Sequence, residues 1–195
     1  GLDAAALERL QRETEDIYAP TGVEIAWLSK SVVPEPPHLA RVYLMRQIPE
    51  GLRRRWHLFG GGDPMAVAFG RSDAGSGPVI YISRSTVAKK ATGGAAKEPP
   101  AEHLARAVGR VLAHELAHRF LAARHTRRGI LKADFYRSDL VGKSAPELYF
   151  TTEQAKKLQR VALRATAPIP PSLVITRVEA PLETRPVDRH GGAKR

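Results

Sequence analysis

The sequence predicts an α/β (α+β) fold in which a mixed sheet packs on one long helix. Apolar residues recur at helical spacing over residues 101–123, and four apolar segments of strand length precede them. With 195 residues, 43% of them hydrophobic, the chain suits a single domain with a sizeable core. We expect this domain to span residues 1–165. A flexible, basic, proline-rich tail should follow at residues 166–195.

The first elements are an amphipathic helix and the four strands. Residues 2–18 place Leu7, Leu10 and Ile17 inward and acidic residues outward, and Pro20 and Gly22 end the helical pattern. The predicted strands cover residues 23–28, 39–45, 65–70 and 78–83. Loops or turns are expected at 31–38, 49–51 and 89–100, and the glycine-rich segment 56–64 is expected to line a cleft.

The longest predicted element is a helix that starts after Pro99 and Pro100. Residues 101–123 contain no proline and no run of β-branched residues. Its apolar positions share helical spacing: Leu104, Val108, Val111, Leu112, Leu116 and Phe120. Gly109 interrupts this pattern and costs about 1 kcal/mol relative to alanine, so we expect it to mark close packing.

Three further features are predicted after this helix. Residues 129–135 form a turn, and Thr151 with Gln154 fits a capping box for a last helix that ends near Ala165. In the tail, residues 173–175 are apolar enough to join the sheet as an added strand.

The long helix carries two histidines and a glutamate in a pattern typical of metal sites. His114 and His118 are four residues apart and therefore lie on one helical face, where both can reach a single ion. Glu115 follows the first histidine and can hold and deprotonate a water bound to that ion. The alternative is a buried helix whose histidines are satisfied by hydrogen bonds, with Glu115 paired to an arginine.

A catalytic zinc site takes a third protein ligand, and His125 is the nearest candidate. In a continuous helix, His125 would lie about 10 Å along the axis from His118, so the helix must end near residues 122–124 and turn back. The other candidates are Glu147 and Glu153, and a site without a third ligand also stays open.

These residues resemble the long motif of the metzincin zinc metallopeptidases, HExxHxxGxxH, and in particular short bacterial metzincin-like proteins. His114, Glu115 and His118 match it, whereas His125 lies one residue later and Leu121 stands at the glycine position. Residues 129–135 are similar to their Gly-Ile-Met-Arg-Ala-Asp-Trp turn, with Leu131 in place of methionine. The resemblance implies a zincin-like fold, with residues 66–70 as the strand beside the metal that pairs with an extended peptide substrate.

The predicted function is a zinc metalloendopeptidase with one Zn²⁺ held by His114, His118 and His125. Glu115 would take a proton from the metal-bound water and return it to the leaving amine. Tyr136 or Tyr149 is a candidate for stabilising the oxyanion. The rival classes are a catalytically inactive zincin-like binding module and a basic nucleic-acid-binding protein.

Composition bears on these classes. The net charge of +11 invites a nucleic-acid partner, but only 6% of residues are aromatic and no recognition-helix pattern accompanies the arginines. Either the basic residues form an ordinary solvated surface, or the four arginines that flank the motif favour acidic substrates or an anionic envelope: Arg119, Arg124, Arg127 and Arg128. No apolar run approaches the ~18 residues of a membrane span, and cysteine is absent. If an export signal has been removed before Gly1, a periplasmic or secreted location is expected.

Overall fold

The computed structural model describes residues 2–28, 39–57, 64–71, 78–144, 147–165 and 172–179. Its helices are α1 (Ala4–Tyr18), α2 (Glu50–His57), α3 (Arg84–Ala91), α4 (Ala101–Leu121), α5 (Arg137–Val141) and α6 (Thr152–Ala165). Its strands are β1 (Glu24–Leu28), β2 (Leu39–Met45), β3 (Ala66–Arg71), β4 (Pro78–Ser83) and β5 (Ser172–Glu179). The four strands predicted upstream, the long helix and the last helix are therefore confirmed.

The strands form one mixed sheet, as predicted, in the order β1-β5-β2-β4-β3. All neighbouring pairs are parallel except β3 and β4, which are antiparallel. β3 lies at one end of this order and so has a single neighbour among the described strands. The added strand predicted at residues 173–175 is part of β5, which pairs with both β1 and β2 inside the sheet.

Three short helices were not predicted. Residues 89–91, expected in a loop, belong to α3, and the turn expected at 49–51 is instead the start of α2. The sequence gives little sign of α3 because the helix follows β4 directly, with no turn residues between them. Ser83 ends the strand, and its hydroxyl caps the helix by accepting the N–H of Thr86. The expected loop at 31–38, residues 58–63 of the glycine-rich segment, and residues 180–195 lie outside the described residues.

The core is built around α4, which contacts α1, α3, α5, α6 and the strands β3 and β4. All six apolar positions predicted to face inward along this helix are buried. In the described part of the chain, no helix combines the length and apolarity needed to cross a bilayer.

α1 crosses α4 at Gly109, where the two backbones nearly touch. A Cβ at this position would lie 2.7 Å from the Leu10 carbonyl oxygen and 3.0 Å from the Glu13 Cβ. The Thr14 hydroxyl spans the contact by donating to the Gly109 carbonyl, and the Tyr18 hydroxyl donates to that of Ala113. The close packing predicted at Gly109 is therefore confirmed, and it places α1 directly behind the helix that carries the motif.

Glu13 departs from the prediction that the acids of α1 face outward. It is buried, and its carboxylate accepts from the Arg110 Nε at 2.6 Å. The Arg110 guanidinium also donates to the carbonyls of Asp139 and Gly142, so this ion pair ties together α1, α4 and the end of α5. The reason is that a buried charge must be paired and hydrogen-bonded, and Arg110, 1% exposed, has its acidic partner on α1.

Gly109→Ala should destabilise the protein by about 1–3 kcal/mol, because the added methyl group forces α1 and α4 apart along their contact. Denaturant unfolding measures this change. Gly51→Ala is the matched control, since a Cβ there meets nothing within 4 Å and alanine favours the helix. Equal stability of the two variants would contradict the close packing.

Candidate metal centre

The last turns of α4 present His114, Glu115 and His118, and the chain reverses directly after them. The helix ends at Leu121, and Ala122 adopts the left-handed conformation, with φ +46° and ψ +44°. This confirms that the helix stops near residues 122–124 and turns back without a glycine. A left-handed alanine costs about 1–2 kcal/mol, so the reversal is maintained by the packing around it.

The reversal brings His125 to the two helical histidines. One ring nitrogen of each of the three residues lies within 4.8 Å of the others. The His114 ring is 5.4 Å from that of His125, and the His118 ring is 4.5 Å from it, centroid to centroid. His114 is buried, His118 is half-buried and His125 is exposed, so the cluster has an inner wall and an open side. These three side chains are close enough to hold a metal ion.

Backbone carbonyls orient the two helical rings. The Nδ1 of His114 contacts the Ile130 carbonyl oxygen at 2.7 Å, and the Nδ1 of His118 contacts that of Ala123 at 2.8 Å. A carbonyl only accepts, so each Nδ1 carries the proton and each neutral ring turns an unprotonated Nε2 inward. Second contacts of this kind are typical of histidines that bind metals.

The two Nε2 atoms are 3.0 Å apart, with a lone pair on each neutral ring. The repulsion between the two lone pairs is removed if a cation binds both nitrogens or if one of the rings carries a second proton. Burial, together with the neighbouring His118, lowers the pKa of His114 to about 3, and burial also lowers the pKa of His118. Protonation is therefore disfavoured at neutral pH, and the pair is suited to a metal ion.

The predicted turn at residues 129–135 lies against the cluster. Gly129 has φ +80°, and a Cβ there would lie 2.8 Å from the Tyr149 carbonyl oxygen, so this position requires glycine. Besides the Ile130 carbonyl, the turn contributes Phe135, whose buried ring meets the His114 ring edge-on at 5.1 Å. Leu131 is fully buried, as expected for an apolar residue in methionine's place.

Glu115 lies between the helical histidines in sequence, and its carboxylate has no ion-pair or hydrogen-bond partner among the described residues. Burial raises its pKa from 4.5 to about 7. The arginine partner that a purely structural role requires is thus missing from the described part of the chain. A carboxylate with a pKa near neutrality, adjacent to a metal ligand, is suited to accept and return protons.

This carboxylate should destabilise the metal-free protein at high pH. Because its folded pKa of about 7 exceeds 4.5, its contribution to stability is complete below about pH 4.5 and is lost as the pH rises through 7. Glu115→Gln should therefore raise the free energy of unfolding by about 2–3 kcal/mol at pH 8 and leave it unchanged at pH 4. Denaturant titrations at both pH values test this, with the exposed Glu147→Gln as control. A gain that is the same at both pH values would contradict it.

The remaining candidates lie outside the cluster. Glu147 and Glu153 are exposed and do not belong to the three-histidine group found among the described residues. Tyr136 and Tyr149 are 70% and 44% exposed, and neither forms a hydrogen bond or a ring contact with the three histidines in the described structure. The flanking arginines, Arg119, Arg124, Arg127 and Arg128, are all exposed.

Sequence reasoning missed the groups that orient the two helical histidines. The Ile130 and Ala123 carbonyls leave no signal in the sequence, because every residue has a carbonyl. The left-handed Ala122 also leaves none, since alanine rarely adopts that conformation. Phe135 was part of the predicted turn, but its contact with His114 depends on how the turn packs.

Comparisons with models of protein families, with curated proteins and with solved structures found no match to this chain.

Proposed function

We propose that this protein is a zinc metallopeptidase of the zincin-like, metzincin type, with His114, His118 and His125 as ligands and Glu115 as the general base. The observation that carries the proposal is the convergence of three imidazole nitrogens, together with a half-buried carboxylate that follows His114 in the sequence and has no described partner. A purely structural role does not account for this arrangement, in which the two Nε2 atoms have each other as hydrogen-bond partners and the Glu115 carboxylate has no described partner.

The donor set fits zinc. Zinc binds imidazole nitrogen at about 2.0–2.1 Å in a tetrahedron, which separates neighbouring ligand nitrogens by about 3.3 Å. The Nε2 atoms of His114 and His118 are 3.0 Å apart, and the third nitrogen lies within 4.8 Å of both. Small side-chain rotations of the exposed His125 would complete the set. Three protein ligands leave a fourth position open, as catalytic zinc sites require.

When bound, zinc would lower the pKa of a water to about 7 and polarise a peptide carbonyl. Glu115 would accept the proton of the attacking water and return it to the departing amine, a task that suits its raised pKa. The buried His114 closes the inner side against solvent, and the exposed His125 leaves the other side accessible to a substrate.

The chain reversal supports the likeness to metzincins. In their motif the third histidine follows the glycine by three residues, and His125 follows the left-handed Ala122 by the same number. The helix is one residue longer than the motif requires, so the extra residue of this chain is taken up within α4. Leu121, at the motif's glycine position, is the last helical residue.

The sheet offers a place for an extended substrate. β3 contains the predicted peptide-pairing residues 66–70, lies at one end of the described strand order, and contacts α4. An edge strand can bind a peptide through main-chain hydrogen bonds and so align its scissile bond. We infer that β3 binds the substrate in this way.

Metal removal tests the proposed function. Purified protein should contain close to one zinc per chain and cleave internally quenched peptides. A chelator should abolish cleavage, and added zinc should restore it, because the proposed reaction needs the metal to lower the pKa of the attacking water and to polarise the carbonyl. Fluorescence release and metal analysis measure both quantities. A metal-free protein that still cleaves would contradict the proposal, whereas a zinc protein that cleaves nothing would indicate the inactive binding module.

A further inference from the structure

A large cleft shares one residue of its lining, Phe135, with the surroundings of His114. Its volume is about 740 Å³, within the range of ligand sites. Phe135 lines this cleft and also contacts the His114 ring at 5.1 Å. Because an extended peptide advances about 3.3–3.6 Å per residue, a substrate at the metal can place side chains in the cleft within a few residues.

The charges that line this cleft have one sign. Its described lining contains four cations and no carboxylate: Arg53, Lys89, Lys90 and Arg137. Arg53 is paired with Glu50, so its charge is largely offset. Lys89, Lys90 and Arg137 form no ion pair with any described residue. We call this lining the cationic cleft.

Two elements hold these cations in place. Lys89 and Lys90 occupy the last turn of α3, and Arg137 begins α5. The Arg137 Nε donates to the Ala91 carbonyl at 3.1 Å, which fixes the guanidinium against the end of α3. Its terminal nitrogens have no further partner among the described residues. A guanidinium that is held at its Nε is pre-organised to bind a carboxylate with its two terminal nitrogens.

The rest of the lining is mixed, with Ile48, Pro64 and Phe135 next to smaller polar residues. Hydroxyls of Ser83, Ser85 and Thr86 and the Gln47 amide complete the walls. The Ser83 and Thr86 hydroxyls bond to each other at 2.8 Å and can also bond to a carboxylate or an amide. The single sign of the charges is therefore the property by which this cleft would select a substrate.

We propose that the cationic cleft is the specificity site of the enzyme and binds acidic side chains of the peptide substrate next to the scissile bond. This inference rests on the proposed peptidase function. An acidic peptide fits better than a nucleic acid, because the cleft adjoins the proposed peptide-cleaving centre and its only exposed aromatic residue in the described lining is Tyr136.

The test measures binding without cleavage, in the zinc-loaded Glu115→Gln protein. The probes are two fluorescein-labelled peptides, one with consecutive glutamates and the other with glutamines in their place. Fluorescence anisotropy should show tighter binding of the glutamate peptide, and added salt should remove the difference. Lys89→Gln/Lys90→Gln should weaken binding of the glutamate peptide about five- to thirtyfold and leave that of the glutamine peptide unchanged.

Lys156→Gln/Lys157→Gln is the matched control, since it removes an exposed lysine pair on α6, away from the cleft lining. Equal binding of the two peptides, or equal losses in the two double variants, would overturn the proposal. A labelled oligothymidine that binds more tightly than the glutamate peptide, and loses affinity with Lys89 and Lys90, would also overturn it in favour of nucleic acid.

Failure of the peptidase function gives a different result. If binding depends on charge but wild-type protein cleaves no peptide, the proposal for the cleft is supported and the proposed peptidase function is rejected. If wild-type protein cleaves glutamate and glutamine peptides equally well, the peptidase function is supported and the proposal for the cleft is rejected.

Discussion

Glu115→Gln is expected to lower kcat for peptide cleavage about a hundred- to ten-thousandfold and to leave the zinc content at its wild-type value. The substitution keeps the size and polarity of the side chain but removes the group that accepts a proton from water. None of the three proposed ligands is changed. Because the carboxylate has no described partner, its replacement breaks no ion pair, so the loss reports on chemistry rather than on folding.

Glu102→Gln is the matched control for this experiment. Glu102 lies on the same helix, is exposed and pairs with Arg106, so its substitution should leave cleavage unchanged. Glu115→Asp keeps the carboxylate but withdraws it by one methylene, and should give an intermediate rate. Wild-type cleavage by Glu115→Gln with full zinc content would place the activity elsewhere in the protein.

Removing one of the proposed ligands should instead lower the zinc affinity, so that activity is lost together with the metal. His125→Ala is expected to weaken zinc affinity by more than about a hundredfold, because substituting residues that merely orient ligands already costs about 10–100-fold. Its side chain is exposed, so the fold should survive unchanged. His114→Ala should bind zinc more weakly still, since it removes the buried inner wall of the cluster. Competition with a chromogenic chelator measures both affinities.

His103→Ala provides the control, because His103 is on the same helix but outside the cluster among the described residues. It should bind zinc as tightly as the wild type. Thermal unfolding of the metal-free proteins separates metal loss from misfolding, since His125→Ala should unfold at the wild-type temperature. An unchanged zinc affinity in His125→Ala would rule this residue out as a ligand.

Local features of this protein were predictable because the interactions that specify them are close in sequence. The helix of residues 101–121 follows from its apolar spacing, the absence of proline, and Pro99 and Pro100 before it. The capping box at Thr151 and Gln154 forms as predicted, with reciprocal hydrogen bonds of 2.9 and 3.2 Å. The juxtaposition of His114 and His118 follows from helix geometry alone.

Other features depend on residues that are distant in sequence. Glu13 is buried because Arg110, 97 residues later, supplies its counter-charge. β5 lies between β1 and β2, and no local pattern encodes which strands it joins. The cationic cleft combines α3 with the start of α5, whose lysines and arginine look like ordinary surface charges in the sequence.

The helix and the relative placement of its two histidines and the adjacent glutamate follow from local sequence, because a 3.6-residue repeat places these side chains without help from the rest of the chain. The sequence also required the helix to stop before His125. Long-range packing, by contrast, places that stop at the left-handed Ala122 and orients the His114 and His118 rings through the Ile130 and Ala123 carbonyls. Packing also leaves Glu115 half-buried without a described partner. Burial and ring orientation depend on which segments pack together, and packing is a property of the whole fold.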